Sequence, residues 1–570
     1  MMKNFYKYLL LFFILCVISQ FLSPDYSLGK ADQSLLTLKD VKHILATSRN
    51  FKNKNLSKLN LAGVDLSNAI MDHTNLSKAN LHGANLSNTV LLYGDLNNAL
   101  LKEANLNGCH MEYTILKNAD MSNAKLNQAV IYYGDFSHAN MRGAHLKGAF
   151  IKEAILSSTN LNKADLSISY IEANLSSANL KDADLHGANL IDISFNNSDM
   201  CAINLSGAKL VRVNMNGSIH EHAKLSDTNL SYTIIHSGGM ANADLHGSYC
   251  KGASIKDTDL SAANLSNTNL ENVVLLRSDL SKVDLRYANF SHAYLDEITM
   301  KGANLSRIDL HYTTISNSNL NEVILNNADL RGAYLNGANL KEADFTNANL
   351  CGASLQYSNL SYATFQGVQI ENAALDNAIL IGVNLKGLNL AGFNLCSVNL
   401  KNADLKGANL NGAILKNADL SNADLTGAYL NNADLTDATL IDAIMSDADL
   451  VNANLSGADL KNATMIGVDL NKATLHNAKL YKVNLKKASL KNALMHGANL
   501  YSANLLDAKL NSTDLTNTNL KNADLRLADL DGANLKGADL KGADFTGGHI
   551  TLIKNIQYAI NSKKAKGLKQ

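Results

Sequence analysis

A large apolar residue returns every five positions from about Asn55 to Ile550, and that period limits what the chain can become. The series opens Leu56, Leu61, Leu66, Met71, Leu76, Leu81, Leu86 and closes Leu520, Leu525, Leu530, Leu535, Leu540, Phe545, Ile550. Two residues before each centre stands a small residue, usually alanine, as at Ala79, Ala84, Ala418 and Ala423, and between the two stands Asn or Asp. On an α-helix five residues advance about 500°, roughly 140° past a full turn, so successive leucines would visit every face. The density of Asn, Asp and Gly also disfavours long helices. In a strand, alternate residues share a side, so alanine and leucine point inward together and the Asn or Asp points out. Five is odd, so a straight strand would turn the next leucine outward. The chain must therefore bend once per pentad, at the two residues after the centre, which are rich in Ser, Asn, Gly and Lys. Repeated bends in one sense wind the chain into a tube with leucine on the axis and backbone groups paired between coils.

Leucine-rich repeats need about 20–29 residues with an internal apolar pattern, and hexapeptide β-helices need a longer period, so neither fits. The tandem A-(N/D)-L-x-x units resemble the pentapeptide-repeat proteins over residues 55–550. The resemblance implies an all-β fold, a right-handed quadrilateral β-helix (the pentapeptide-repeat solenoid) with four pentads to a coil. At about 4.8 Å per coil, some 25 coils would make a rod on the order of 120 Å long.

The composition fits a narrow core, with no Trp, a single Pro (Pro24) and 6% aromatic residues. Lys plus Arg and Asp plus Glu stand at 51 each, so the overall balance supplies neither a phosphate-binding surface nor the acid excess of a nucleic-acid mimic. Only the last stretch departs from that balance on this reading: Lys554, Lys563, Lys564, Lys566 and Lys569 read as a solvated, frayed tail. Cys16 lies in the leader, and the scattered Cys109, Cys201, Cys250, Cys351 and Cys396 form no CxxC pair. Cys109 and Cys250 fall at inward positions, the other three after a centre and outward.

Residues 1–31 differ from everything after them. Lys3 and Lys7 precede an apolar run from Leu9 to Ile18, followed by Pro24 and Gly29-Lys30-Ala31, the layout of a signal peptide or a short N-terminal anchor. Residues 32–54 read as an N-terminal cap. Within them Thr37 and Asp40 have capping-box spacing, and Leu38, Val41 and Leu45 fall on one helical face. Residues 551–570 read as a C-terminal cap and basic tail, with Ile553 to Ile560 covering the open end.

Three departures interrupt the pattern. Ile171 is followed by Leu175 only four residues later, which predicts a kink or a change of face near 167–175. The small position becomes Gly or Ser at Gly94 and Gly134, then at Ser198, Gly238, Ser278, Ser318 and Ser358, a spacing of 40 within each group. Bulky outward residues precede several of these positions, and Tyr93, Tyr132, Tyr133, Ile234 and Val274 form a candidate interaction stripe. Duplication of a 40-residue unit explains the same spacing. His220 stands at a centre in Ile219-His220-Glu221-His222, and the reading is that Ile219 takes the core place while His220 turns out. His476 and His496, 20 apart, should stack on adjacent coils; two ligands without a third give no metal site.

No nucleophile, metal-protease or phosphate-loop motif occurs in context. The sequence points to a non-enzymatic, exported scaffold or protein-interaction solenoid with no cofactor, no metal and an unidentified protein partner. Nucleic acid is not expected as a partner, and a membrane is reached only through the N-terminal segment. The resemblance keeps two alternatives open: a DNA-mimicking topoisomerase (gyrase) regulator, and a secreted effector that binds a host protein.

Overall fold

The computed structural model describes residues 34–568, so the leader assigned to 1–31 lies outside the described residues. The chain divides into two compact units, Met1–Leu156 and Ser157–Gln570. Each is all-β and coiled as a right-handed quadrilateral β-helix. Bridges are parallel and join a residue to the one 20 later, as in Asn55↔Asn75, Asn75↔Asp95 and Asn399↔Asp419.

The consensus follows from where each backbone donor goes. The centre amide donates to the next coil (Leu56 N to Asn75 O, 2.7 Å), and the polar position donates to the previous one (Asn75 N to Lys54 O, 2.9 Å). The second turn residue also donates upward (Lys58 N to Ser77 O, 3.0 Å), while the small residue closes the turn (Ala69 N to Leu66 O, 3.2 Å). The amide of the first turn residue is left over, and the Asn or Asp before the centre accepts it, as Asn55 Oδ1 does from Ser57 N at 3.0 Å. With its five donors placed, the pentad leaves no buried amide unpaired. From Asn53 to Gly547 the second turn residue is left-handed in every pentad outside the four-residue step, for example Lys58 at φ 59° and Tyr93 at φ 56°, which is why Gly, Asn and Asp recur there. Centres are buried from Leu56 to Phe545, and so are the small residues apart from Leu59, Val64, Gly238, Leu388 and Phe393.

Short strands replace the isolated bridges at some of the coils whose polar position is not Asn or Asp. In the first unit these are β1 (His110–Glu112), β2 (Val130–Tyr132) and β3 (Phe150–Ile155), paired in that order. The second unit holds β4 (Tyr170–Asn174) and β5 (Asn189–Leu190), paired together, and β6 (Ile234–His236), β7 (Ser254–Lys256), β8 (Val274–Leu276), β9 (Tyr294–Asp296) and β10 (Thr314–Ser316) in one sheet. Apart from β5, none begins with Asn or Asp, the acceptor that ties the turn. The 40-residue spacing has a local use here. Ser278 and Ser318 follow β8 and β10, and their hydroxyls accept the amides of Thr258 and Ile298 in the coil before, each at 3.2 Å.

The four-residue step at 171–175 lies within the second unit and changes no face. The bridge separation drops to 19 at Asn160↔Asn179, Asp165↔Asp184 and Tyr170↔Asn189, then returns to 20 at Asn174↔Ser194. What has been lost is one corner residue: no left-handed residue stands between Ile168 and Ser177, yet Tyr170 and Asn174 still pair with Asn189 and Ser194 on either side of the corner at Asp192. β4 spans this shortened corner, with Ile171, Ala173 and Leu175 inside. Four residues are even, so alternation brings Leu175 inward without a left-handed turn residue.

A second irregularity opens the ladder in the same unit. Leu388 and Phe393 stand at small positions and are only half-buried. The inter-coil bonds that would carry the amides of Phe365, Ile370 and Leu375 to the next coil are absent, as are bridges from Gln369 to Asn389 and from Ala374 to Asn394. Bulk where alanine lets coils approach has wedged them apart. Phe365, Ile370, Leu375, Leu388 and Leu390 line the narrow apolar void that results.

At the N-terminal end, α1 (Leu38–Thr47) carries the expected capping box between Thr37 and Asp40. Val41 is buried, Leu45 half-buried and Leu38 exposed, so the packed face is narrower than the sequence suggests. At the other end the chain keeps coiling with insertions: Lys554 bridges Asn534, Ile560 bridges Asp539 and Lys566 bridges Asp544. Short 3-10 turns at Ile556–Tyr558 and Ser562–Lys564 take up the extra residues. The basic segment is therefore backbone-paired as far as Lys566 rather than frayed.

Candidate interaction surface

Twenty residues per coil turn any spacing of 20 into a column on the surface. Tyr93 and Tyr133 are second turn residues of one such column in the first unit, and the structure adds the two residues the sequence reading passed over, His73 and Tyr113. The four rings stack: His73 on Tyr93 at 4.8 Å, Tyr93 on Tyr113 at 4.9 Å and Tyr113 on Tyr133 at 4.7 Å between centroids. The spacing is the coil repeat itself, so the ladder needs no adjustment of the backbone. Tyr132 is half-buried and meets Tyr133 edge-on at 4.3 Å. The Tyr133 hydroxyl is held above its usual pKa, first by Tyr132 and then by Glu153. The signal for Tyr113 was its place midway between two tyrosines 40 apart.

Ile234 and Val274 belong to the second unit and to a different position of the pentad. They precede centres on β6 and β8, and with Tyr294 on β9 they are exposed on the outer face of that sheet, alternating with Ser254 and Thr314. The five stripe residues thus fall into two sets, one on each unit. The second unit places further tyrosines at left-handed corners. Tyr232, Tyr312 and Tyr362 each lie over a glycine 20 residues on, at Gly252, Gly332 and Gly382, where an added Cβ would strike the ring at 2.4–2.7 Å. Arg307 covers the Tyr287 ring and bonds its hydroxyl at 3.0 Å.

His220 reverses the sequence reading. It is fully buried at its centre position, and Ile219 is 44% exposed. The frame decides this, because moving Ile219 inward would shift every inter-coil bond of the pentad by one residue. Burial pushes the His220 pKa down to about 4. Its Nε2 lies 3.4 Å from Ser218 Oγ and its Nδ1 has no partner. His476 and His496 do lie on adjacent coils, but edge to face at 6.2 Å rather than stacked. Cys109 and Cys250 are buried and free; Cys201, Cys351 and Cys396 are half-buried and free, with Cys351 Sγ bonded to Glu371 at 2.9 Å.

Asp309, His311 and Asp329 bring three possible ligand atoms within 4.8 Å of one another. Arg331 already pairs with Asp329 at 2.6 Å and holds that carboxyl below its usual pKa, so the group reads as an ion-pair network. The same pairing of an arginine first turn residue with the polar residue two before it recurs at Arg286–Asp284 and Arg526–Asp524, both at 2.7 Å.

A family model for pentapeptide repeats matches stretches from 50–91 to 508–547, leaving 208–239 unmatched. No curated protein matches the chain. Among solved structures, HetL, a pentapeptide repeat protein involved in heterocyst differentiation regulation in the cyanobacterium Nostoc, is 22% identical with a TM-score of 0.14 over 61% of this chain and 98% of that one. Full-length QnrB1, a plasmid-mediated fluoroquinolone resistance protein, is 20% identical with a TM-score of 0.17 over 34% of this chain and 85% of that one. A pentapeptide repeat protein from the Arabidopsis thaliana thylakoid lumen is 32% identical with a TM-score of 0.14 over 21% of this chain and 68% of that one. With the repeat model matched over most of its length and the coil built from those same repeats, this chain belongs to the pentapeptide-repeat family.

Proposed function

We propose that the protein is a non-catalytic, exported binding scaffold whose first unit engages a protein partner through the His73–Tyr93–Tyr113–Tyr133 ladder. The observation that carries this reading is the ladder itself. Three exposed tyrosines at positions that favour Gly, Asn and Asp are not required by the coil, whose turns form without them. Stacking turns the ring faces toward one another, and the three tyrosines remain exposed along the column. Tyrosine in that setting contributes contact area at small entropic cost, as at protein interfaces generally. Export is supported by Lys3, Lys7, the Leu9–Ile18 run and Gly29-Lys30-Ala31.

The test is affinity capture with the full chain and with Y93S/Y113S/Y133S, partners being identified by mass spectrometry. A partner lost from the triple variant at unchanged melting temperature supports the reading; a partner set unaffected by the substitutions rejects it. A second reading, a DNA-mimicking topoisomerase regulator, draws on eight aspartates without a single Lys or Arg between 417 and 460. A gyrase supercoiling assay decides it: inhibition that D437N/D442N/D447N abolishes would favour it over the scaffold.

A further inference from the structure

Overall neutrality conceals a segregated charge in the second unit. Residues 417–460 hold eight Asp and no Lys or Arg, whereas 471–506 hold six Lys and no Asp or Glu. The sequence reading placed the only imbalance at the C-terminus; counting by coil reveals this larger one. It bears on one face in particular, the one flanked by the second turn residues Asp442 and Asp447. One coil on, the same corners carry Asn462 and Gly467, and two coils on they carry Lys482 and Lys487. Asp442, Asp447, Lys482 and Lys487 are all exposed, and none takes part in an ion pair among the described residues. Asp442 accepts only Asn462 Nδ2, at 3.0 Å, and Lys482 Nζ lies over its neighbour Tyr481 at 5.1 Å. Two coils separate the opposite charges by about 10 Å, beyond pairing within one chain.

We propose that this face docks a second copy of the same chain, antiparallel and face to face. A two-fold axis across the 462–467 row sends each coil onto the one equally far on the other side while keeping its corner. Asp442 then meets Lys482 of the partner subunit, and Asp447 meets Lys487 of the partner subunit. The reciprocal pairs follow by symmetry, as an isologous interface requires. The rows on either side are compatible. Asp424 comes opposite Asn504, and Gly427 opposite Asp507, with no like charges facing. Between the charged corners Ile444 is 41% exposed and Ile466 half-exposed, which gives the centre of the contact an apolar component. A face one pentad wide is narrow, so the association is weak and its charges act mainly through steering and register.

Sedimentation velocity of the full chain tests this. Dimer is expected at 50 mM NaCl, dissociating at 500 mM, where the Debye length falls to about 4 Å. D442K/D447K and K482D/K487D should each be monomeric at 50 mM, and an equimolar mixture of the two should recover the dimer, since every pair across the axis is then opposite in sign. Lysine already stands at left-handed corners such as Lys472, and aspartate at Asp437, so both variants suit the coil. D442N/D447N serves as a second variant if either reversal fails to fold, and it too should weaken the dimer. A wild type that stays monomeric at 50 mM, a dimer indifferent to the substitutions, or lysine-dependent binding to heparin without self-association would overturn the proposal.

Discussion

Within the pentad, the centre residue and the polar residue before it do different work. Leu435 is fully buried on the axis, and Leu435→Ala should destabilise by about 2–5 kcal/mol, the usual loss plus cavity. Asp434 ties a turn through the amide of Thr436 at 3.1 Å on the half-exposed wall, and Asp434→Ala should cost only about 1 kcal/mol. Urea titration of both variants checks the order. His220 offers a pH test. Its pKa is near 4 when folded, against the ordinary 6.5 when unfolded, so the unfolded chain binds more protons between those values. Its neutral burial is therefore fully tolerated above pH 6.5, and stability is lost as pH falls from 6.5 toward 4, by about 3 kcal/mol in all. His220→Leu should remove the unpartnered Nδ1 and flatten that dependence. Melting temperatures of variant and wild type at pH 5 and pH 8 measure it, with the larger gain for the variant at pH 5.

Elements in this fold are coils and columns, and their legibility in the sequence was uneven. The centres and small residues could be read directly because a buried axis tolerates little besides Leu, Met, Phe and Ala. The turn-tying role of Asn and Asp could not, because an outward side chain that bonds its own backbone looks the same in sequence as one facing water. Tyr93 and Tyr133 were found as a pair, yet Tyr113 and His73 emerged only once the 20-residue coil had stacked them. His220 was misplaced because hydrophobicity favours Ile219, while the ladder of inter-coil bonds fixes the frame. The opened seam at 365–394 was invisible for a related reason: Leu388 and Phe393 keep the apolar pattern and violate only its size rule. Amides with few inter-coil bonds open at low free energy. Hydrogen exchange should therefore be fastest, within the second unit away from its ends, at Phe365, Ile370 and Leu375. L388A/F393A should let the coils close and slow that exchange; equal protection in wild type and variant would count against the wedge.

For the molecule as a whole, the repeat converts linear spacing into surface geography. Composition averaged over the chain reports neutrality, whereas the coil sorts the same residues into an acidic band, a basic band and a tyrosine ladder. Function is read from columns, and each proposal made for this protein depends on residues 20 apart being neighbours. Pulsed electron–electron distance measurement within the second unit tests that most directly, using spin labels at the exposed corner residues Asn402, Lys482 and Asn522. Four coils should place labels at 402 and 482 about 19 Å apart, and six coils should place those at 402 and 522 about 29 Å apart, allowing for label length. Distances that fail to grow in proportion to coil number would contradict the account.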